Sequence, residues 1–86
     1  MDNYELMEQL ELMEQLEEAD LAVEEGERLL TKQRSVLHLL RARKYDTKRA
    51  ERMLDNLKRA QSLLLSAREQ ILAEVAKYRS DANRTH

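Results

Sequence analysis

The chain has 86 residues, with no proline, no cysteine and one glycine, Gly26. That length holds one small domain, the scarcity of turn-forming residues excludes hairpin-rich β folds, and the missing thiols exclude disulfides and thiolate metal sites. Fifteen Lys and Arg stand against seventeen Asp and Glu, a formal net charge of −2, and 37% charged beside 42% apolar residues suits long amphipathic helices.

The first predicted element is a helix over about 3–44. Asp2 and Glu5 have the spacing of a capping box, and only Gly26 weakens the helix before Lys44. The helix opens on a repeat, since residues 5–10 and 11–16 are both Glu-Leu-Met-Glu-Gln-Leu. Six residues are not a whole number of turns, so the second copy points its leucines about 120° away from the first. Leu6, Leu10 and Met13 therefore form an offset stripe. It reads first as a simple lengthening of the helix, and alternatively as an apolar hook built with the pliable Met7 and Met13. Residues 1–9 are expected to overhang the second helix. The main stripe is Leu12, Leu16, Ala19, Val23, Gly26, Leu30, Gln33, Leu37 and Leu40. It advances in steps of four and three, the period of a coiled-coil seam.

A turn is expected over about 44–47, with Asp46 or Thr47 capping a second helix of about 47–80. The second stripe reads Ala50, Met53, Leu57, Ala60, Leu64, Ala67 and Ile71, with Tyr78 continuing it after a slip at Glu74 and Val75. Residues 81–86 lack apolar anchors and are expected to fray, leaving 1–80 as the single helical-hairpin domain.

Folding the chain at Tyr45–Asp46 sets residues whose numbers sum to about 90 opposite each other. Leu40 then faces Ala50, Leu30 faces Ala60, Gly26 faces Leu64, Val23 faces Ala67 and Ala19 faces Ile71. Large meets small, so the helices can approach closely without voids. The expected fold is all-α, an antiparallel two-helix hairpin that resembles a coiled coil. Each helix buries only one side, and Ala22, Leu29, Val36 and Leu63 remain as an apolar flank, with Leu54, Leu65 and Leu72 also outside the seam. A two-fold homodimer forming a four-helix bundle is the expected way to cover them.

Charge is segregated along the chain. Residues 1–27 hold eleven acidic residues and no Lys or Arg, while 28–62 hold eleven basic residues against three acidic ones. The helix dipole accounts for Asp2, Glu5, Arg41, Arg43 and Lys44, but not for Lys48, Arg49 and Arg52 at the start of the second helix. In an antiparallel dimer the basic tip of one subunit can lie along the acidic end of the other. Alternatively Arg41, Arg43, Lys44, Lys48, Arg49 and Arg52 can contact phosphates. That reading is weaker, because only Tyr45 is nearby for stacking and the acidic half repels a polyanion.

Catalysis and metals find little support. His38 lacks a second ligand three or four residues away, and Ser35, Ser62 and Ser66 have no visible His and acid around them. Apolar runs reach only three residues, as in Leu63-Leu64-Leu65, and no signal segment opens the chain, so no membrane partner and a cytoplasmic location are expected.

Glu25-Gly26-Glu27-Arg28, then Lys32-Gln33-Arg34, then Asp46-Thr47 followed by Ala50-Glu51-Arg52-Met53-Leu54, resembles a series found in short helical-hairpin proteins of α-proteobacteria. The resemblance covers roughly residues 24–72. Lys44-Tyr45 stands where that pattern has Gly-His. The resemblance implies a hairpin and a bacterial origin, and points to no established function.

The expectation is a non-enzymatic protein–protein interaction or adaptor module, with no cofactor and no small-molecule substrate, that self-associates through its apolar flank. The alternatives are a nucleic-acid-binding accessory using the basic tip, and a small chaperone or secretion-accessory protein that binds a partner helix.

Overall fold

The computed structural model describes the backbone of residues 3–84 and the side chains of 3–80. It contains two helices, α1 (Asn3–Ala42) and α2 (Lys48–Arg84), and no strand among the described residues. The Asp2 capping box lies outside them. The pair forms a rod of 65 × 17 × 14 Å with a radius of gyration of 19.4 Å, against about 12 Å for a globular chain of this length.

The turn is built from helix-end chemistry rather than from glycine. Lys44 takes a left-handed conformation at φ 60. The Tyr45 amide donates to the Leu40 carbonyl at 2.9 Å, and the Lys44 amide donates to the Arg41 carbonyl at 3.1 Å. This is a Schellman motif with lysine in the place that usually takes glycine. Asp46 and Thr47 both serve the next helix. Asp46 Oδ1 accepts the Lys48 amide at 3.1 Å, and the Thr47 carbonyl accepts the Glu51 amide at 2.8 Å. These bonds stop α1 at Ala42, two residues before the expected end.

All nine predicted seam positions of α1, from Leu12 to Leu40, are buried or half-buried. In α2 the seam differs from the expected one. The residues turned inward are Ala50, Leu54, Leu57, Gln61, Leu64, Arg68, Ile71, Val75 and Tyr78, whereas Met53, Ala60 and Ala67 are exposed. The observed stripe keeps its four-and-three alternation to Tyr78 with no slip. Inward rotation brings the bulky Leu54 beside Leu30, Leu37 and Ala50, the buried cluster on which Leu40 and Leu57 also pack. Three residues therefore leave the seam, Met53, Ala60 and Ala67, so Ala60 does not face Leu30 and Ala67 does not face Val23, while Leu54 enters it as core rather than flank.

The role of Gly26 changes with this rotation. Its neighbour is Gln61 rather than Leu64. A Cβ at Gly26 would run into Gln61 Oε1 and lie 2.7 Å from Cδ. The missing side chain makes a notch for a buried amide, which donates to the Val23 carbonyl at 3.0 Å and to Glu27 at 3.1 Å.

At the open end α2 continues to Arg84, past the expected end near 80, while 85–86 lie outside the described residues. Tyr78 reaches back to bond Glu8, so α1 runs alongside α2 here and the predicted overhang of residues 1–9 is absent among the described residues.

Candidate interaction surface

An antiparallel seam leaves two flanks. The first consists of residues one position before the seam in each helix: Ala22, Leu29 and Val36 from α1, with Met53, Ala60 and Ala67 from α2. Equal levels pair Val36 with Met53, Leu29 with Ala60, and Ala22 with Ala67 by register. Leu39 and Leu63, each one helical step outward, edge the same flank. Ala22 and Leu29 are half-buried, while Val36 is 38%, Leu39 55%, Met53 56% and Leu63 72% exposed. The predicted patch of Ala22, Leu29, Val36 and Leu63 thus lies on one side, and the rotation of α2 adds Met53, Ala60 and Ala67. The missed signal was the slip at Glu74 and Val75, which the other seam choice removes.

By register, Arg43 and Arg49 continue this patch toward the turn, Glu11, Glu18 and Glu74 continue it toward the open end with Lys77 beside them, and Glu25 and Lys32 stand at its edge. The apolar stretch covers the levels from Ala22 to Leu39, about 25 Å of helix.

The second flank, one position after the seam in each helix, changes character along its length. Near the turn it is polar, where Arg41 pairs with Glu51 at 3.2 Å and Glu51 also accepts the Thr47 hydroxyl. Toward the open end it becomes apolar, with Leu6 47%, Met13 60%, Leu65 40% and Leu72 39% exposed, and Leu10 (52%) beside them. A groove of about 300 Å³ lies here, lined by Gln9, Leu12, Met13, Leu16, Val75, Tyr78 and Arg79.

Polar side chains cross the seam in the same half. Arg68 pairs with Asp20 at 2.5 Å, and the Tyr78 hydroxyl donates to Glu8, which pushes the phenol up to about 12. The neutral phenol is the donor, so the bond holds its proton. Closer to the turn, Gln33 Nε2 donates to the Ala50 carbonyl at 3.1 Å. On the outer face of α1, the Arg28 guanidinium holds the Glu25 carboxyl below its usual range through a bidentate pair, with bonds of 3.0 and 2.5 Å.

The six basic residues of the tip do not act as one face. Arg41 is engaged with Glu51 on the second flank, whereas register sets Arg43 and Arg49 on the first and Lys48 and Arg52 elsewhere around the rod. All six are exposed. Positive charge at the start of α2 is offset locally by Asp46 and Glu51, which suit that helix end. His38 is exposed beside Thr31, Arg34, Ser35 and Leu39 in a shallow surface depression. Among the described residues, no three His, Asp or Glu side chains gather to hold a metal, and no helix is long and apolar enough to cross a membrane.

Comparison with known proteins matches the chain to no family model, no curated sequence and no solved structure.

Proposed function

We propose that the protein is a non-enzymatic interaction module whose first flank pairs with the same flank of a second copy, giving a two-fold antiparallel dimer and a four-helix bundle. One observation carries this reading: the flank is self-complementary. An axis near the Leu29–Ala60 level lays apolar patch on apolar patch. It also sets Arg43 and Arg49 beside the partner's Glu11, the partner's Glu18 and the partner's Glu74. Apolar area supplies the attraction, and the charges select antiparallel over parallel docking, because parallel docking stacks like charges.

The hairpin alone supports the need for such a cover. Among the described residues its buried apolar side chains are those of Leu12, Leu30, Leu37, Ala50 and Leu54, and none is fully buried. A single layer of this size stabilises a chain only weakly. The overlap implies a dimer of about 85 Å, because each rod end lies about 15 residues of helix from the axis on its turn side.

Molar mass by light scattering after size exclusion, at low and high salt, tests the reading. The wild type is expected to be a dimer that loosens in salt. Leu29→Glu with Leu63→Glu is expected to give monomers, as is Arg43→Glu with Arg49→Glu. Adding Glu11→Arg and Glu18→Arg to the latter pair is expected to restore the dimer. A wild-type monomer at high micromolar concentration overturns the reading.

A further inference from the structure

The groove on the second flank calls for a different occupant. Its floor is Leu12, Leu16 and Val75, its walls carry the exposed Met13 and the half-buried Tyr78, and Leu6, Leu10 and Leu72 extend it along the rod. It runs between two antiparallel helices, a shape that a third helix fills with a stripe of its own apolar side chains. From Leu6 to the level of Leu72 the stripe measures about 15 Å, or roughly ten residues of helix.

Charge sets the kind of helix. By register, Glu17 and Glu24 of α1 and Glu69 of α2 border this flank, and the three ion pairs of the described residues use none of them. Arg79 is the one cation lining the groove. A second copy fits poorly. Antiparallel docking would set the apolar stripe against Arg34, Arg41 and Lys58, and docking open end to open end would stack glutamates.

We propose that this groove docks a cationic amphipathic helix of another protein, with its Leu-rich face against Met13, Leu16, Leu72 and Val75 and its Lys or Arg edges toward Glu17, Glu24 and Glu69. The methionine suits such a site, because an unbranched thioether adapts to the side chain presented to it. The inference does not rest on the dimer, since the site lies on the opposite flank.

The test uses the full chain with three labelled 14-residue peptides: one of Leu and Lys in helical three–four spacing, one of the same composition with its leucines scattered, and one of Leu and Glu. Binding is read by fluorescence anisotropy, and its location by the labelled methyl groups of Met13 and Met53, which report on the two flanks. The expected result is that the patterned Leu/Lys peptide binds at least tenfold more tightly than either control and shifts Met13 but not Met53. Met13→Glu with Leu72→Glu is expected to weaken it at least tenfold, and Leu29→Glu with Leu63→Glu to leave it unchanged. Met13→Gln with Leu72→Gln serves if the charged variant loses helicity. Equal binding of the scattered peptide reduces the attraction to charge alone and overturns the proposal. So does a shift confined to Met53. Dissociation of a wild-type dimer by the peptide also overturns it, because a second copy then covers the groove.

Discussion

Between the turn and Leu30 the two helices meet through Leu30, Leu37, Ala50 and Leu54, all buried, whereas from Gly26 to the open end the polar crossings of Gln61, Arg68 and Tyr78 join half-buried apolar residues such as Leu16, Val23, Leu64 and Ile71. Among the described residues of the open half, Leu12 alone of the apolar ones is buried. Apolar contact is strong but undirected, so it supplies cohesion and tolerates sliding. A hydrogen bond nets only about 1 kcal/mol but has one geometry, so the polar crossings fix alignment more than they add stability. The half nearest the turn is therefore the stable unit, and the open half is the part expected to separate first.

Truncation on either side of that boundary is the strongest way to break the contrast. Leu37→Ala removes a 5%-exposed side chain from the apolar cluster and is expected to cost about 2–4 kcal/mol. Leu12→Ala removes one that lines an open groove, where the site is already wet on one side, and is expected to cost about 1–2 kcal/mol. Urea unfolding followed by helical circular dichroism gives both numbers. Equal losses would show that the two halves are not held differently.

The notch at the boundary comes next in size. Gly26→Ala gains about 1 kcal/mol of helix propensity but expels the Gln61 amide and both of its hydrogen bonds, so a net loss of about 1 kcal/mol is expected. In a Gln61→Ala background the clash is gone, and the same glycine replacement is expected to stabilise by about 1 kcal/mol. The reversal of sign is the signature, because a glycine needed only for helix–helix approach would be costly to replace in both backgrounds.

A smaller effect lies in the turn. Lys44 holds a left-handed backbone that glycine adopts without strain, so Lys44→Gly is expected to stabilise the hairpin by about 0.5–1 kcal/mol in the same urea assay. A loss instead would mean that the Lys44 side chain contributes more than its backbone conformation costs.

Legibility in the sequence followed the same boundary. The α1 seam was readable in full because Leu12 to Leu40 is almost unbroken in apolar character, and Asp46-Thr47 marked the start of α2. The α2 seam was misread because two registers share Ala50, Leu57, Leu64 and Ile71, and hydrophobicity favours Met53, Ala60 and Ala67 over Leu54, Gln61 and Arg68. Long polar side chains can enter a thin seam when they reach across to partners, as Gln61 and Arg68 do at Val23, Glu27 and Asp20. Such pairings join residues up to 48 positions apart, which no local pattern encodes. The patch of Ala22, Leu29, Val36 and Leu63 was legible as a leftover, while its α2 half came into view only with the rotated register.

The finest probe of the open half is the proton shared between Tyr78 and Glu8. The phenol must be protonated to donate, and its pKa is raised to about 12, above the ordinary value of about 10. Because the folded value lies above the unfolded one, the stabilisation is complete below about pH 10 and drains away as pH rises toward 12. Absorbance of the phenolate across this range is expected to show a late step near pH 12 from Tyr78. Glu8→Gln replaces the anionic acceptor with a neutral one and is expected to bring Tyr78 back toward the ordinary value of about 10, while Tyr78→Phe removes the late step altogether. Helicity followed over the same titration separates local release from global unfolding. A late step that survives Glu8→Gln would assign the shift to burial of the phenol and to the nearby Glu5 and Glu74, and the open end would then be held by less than its geometry implies.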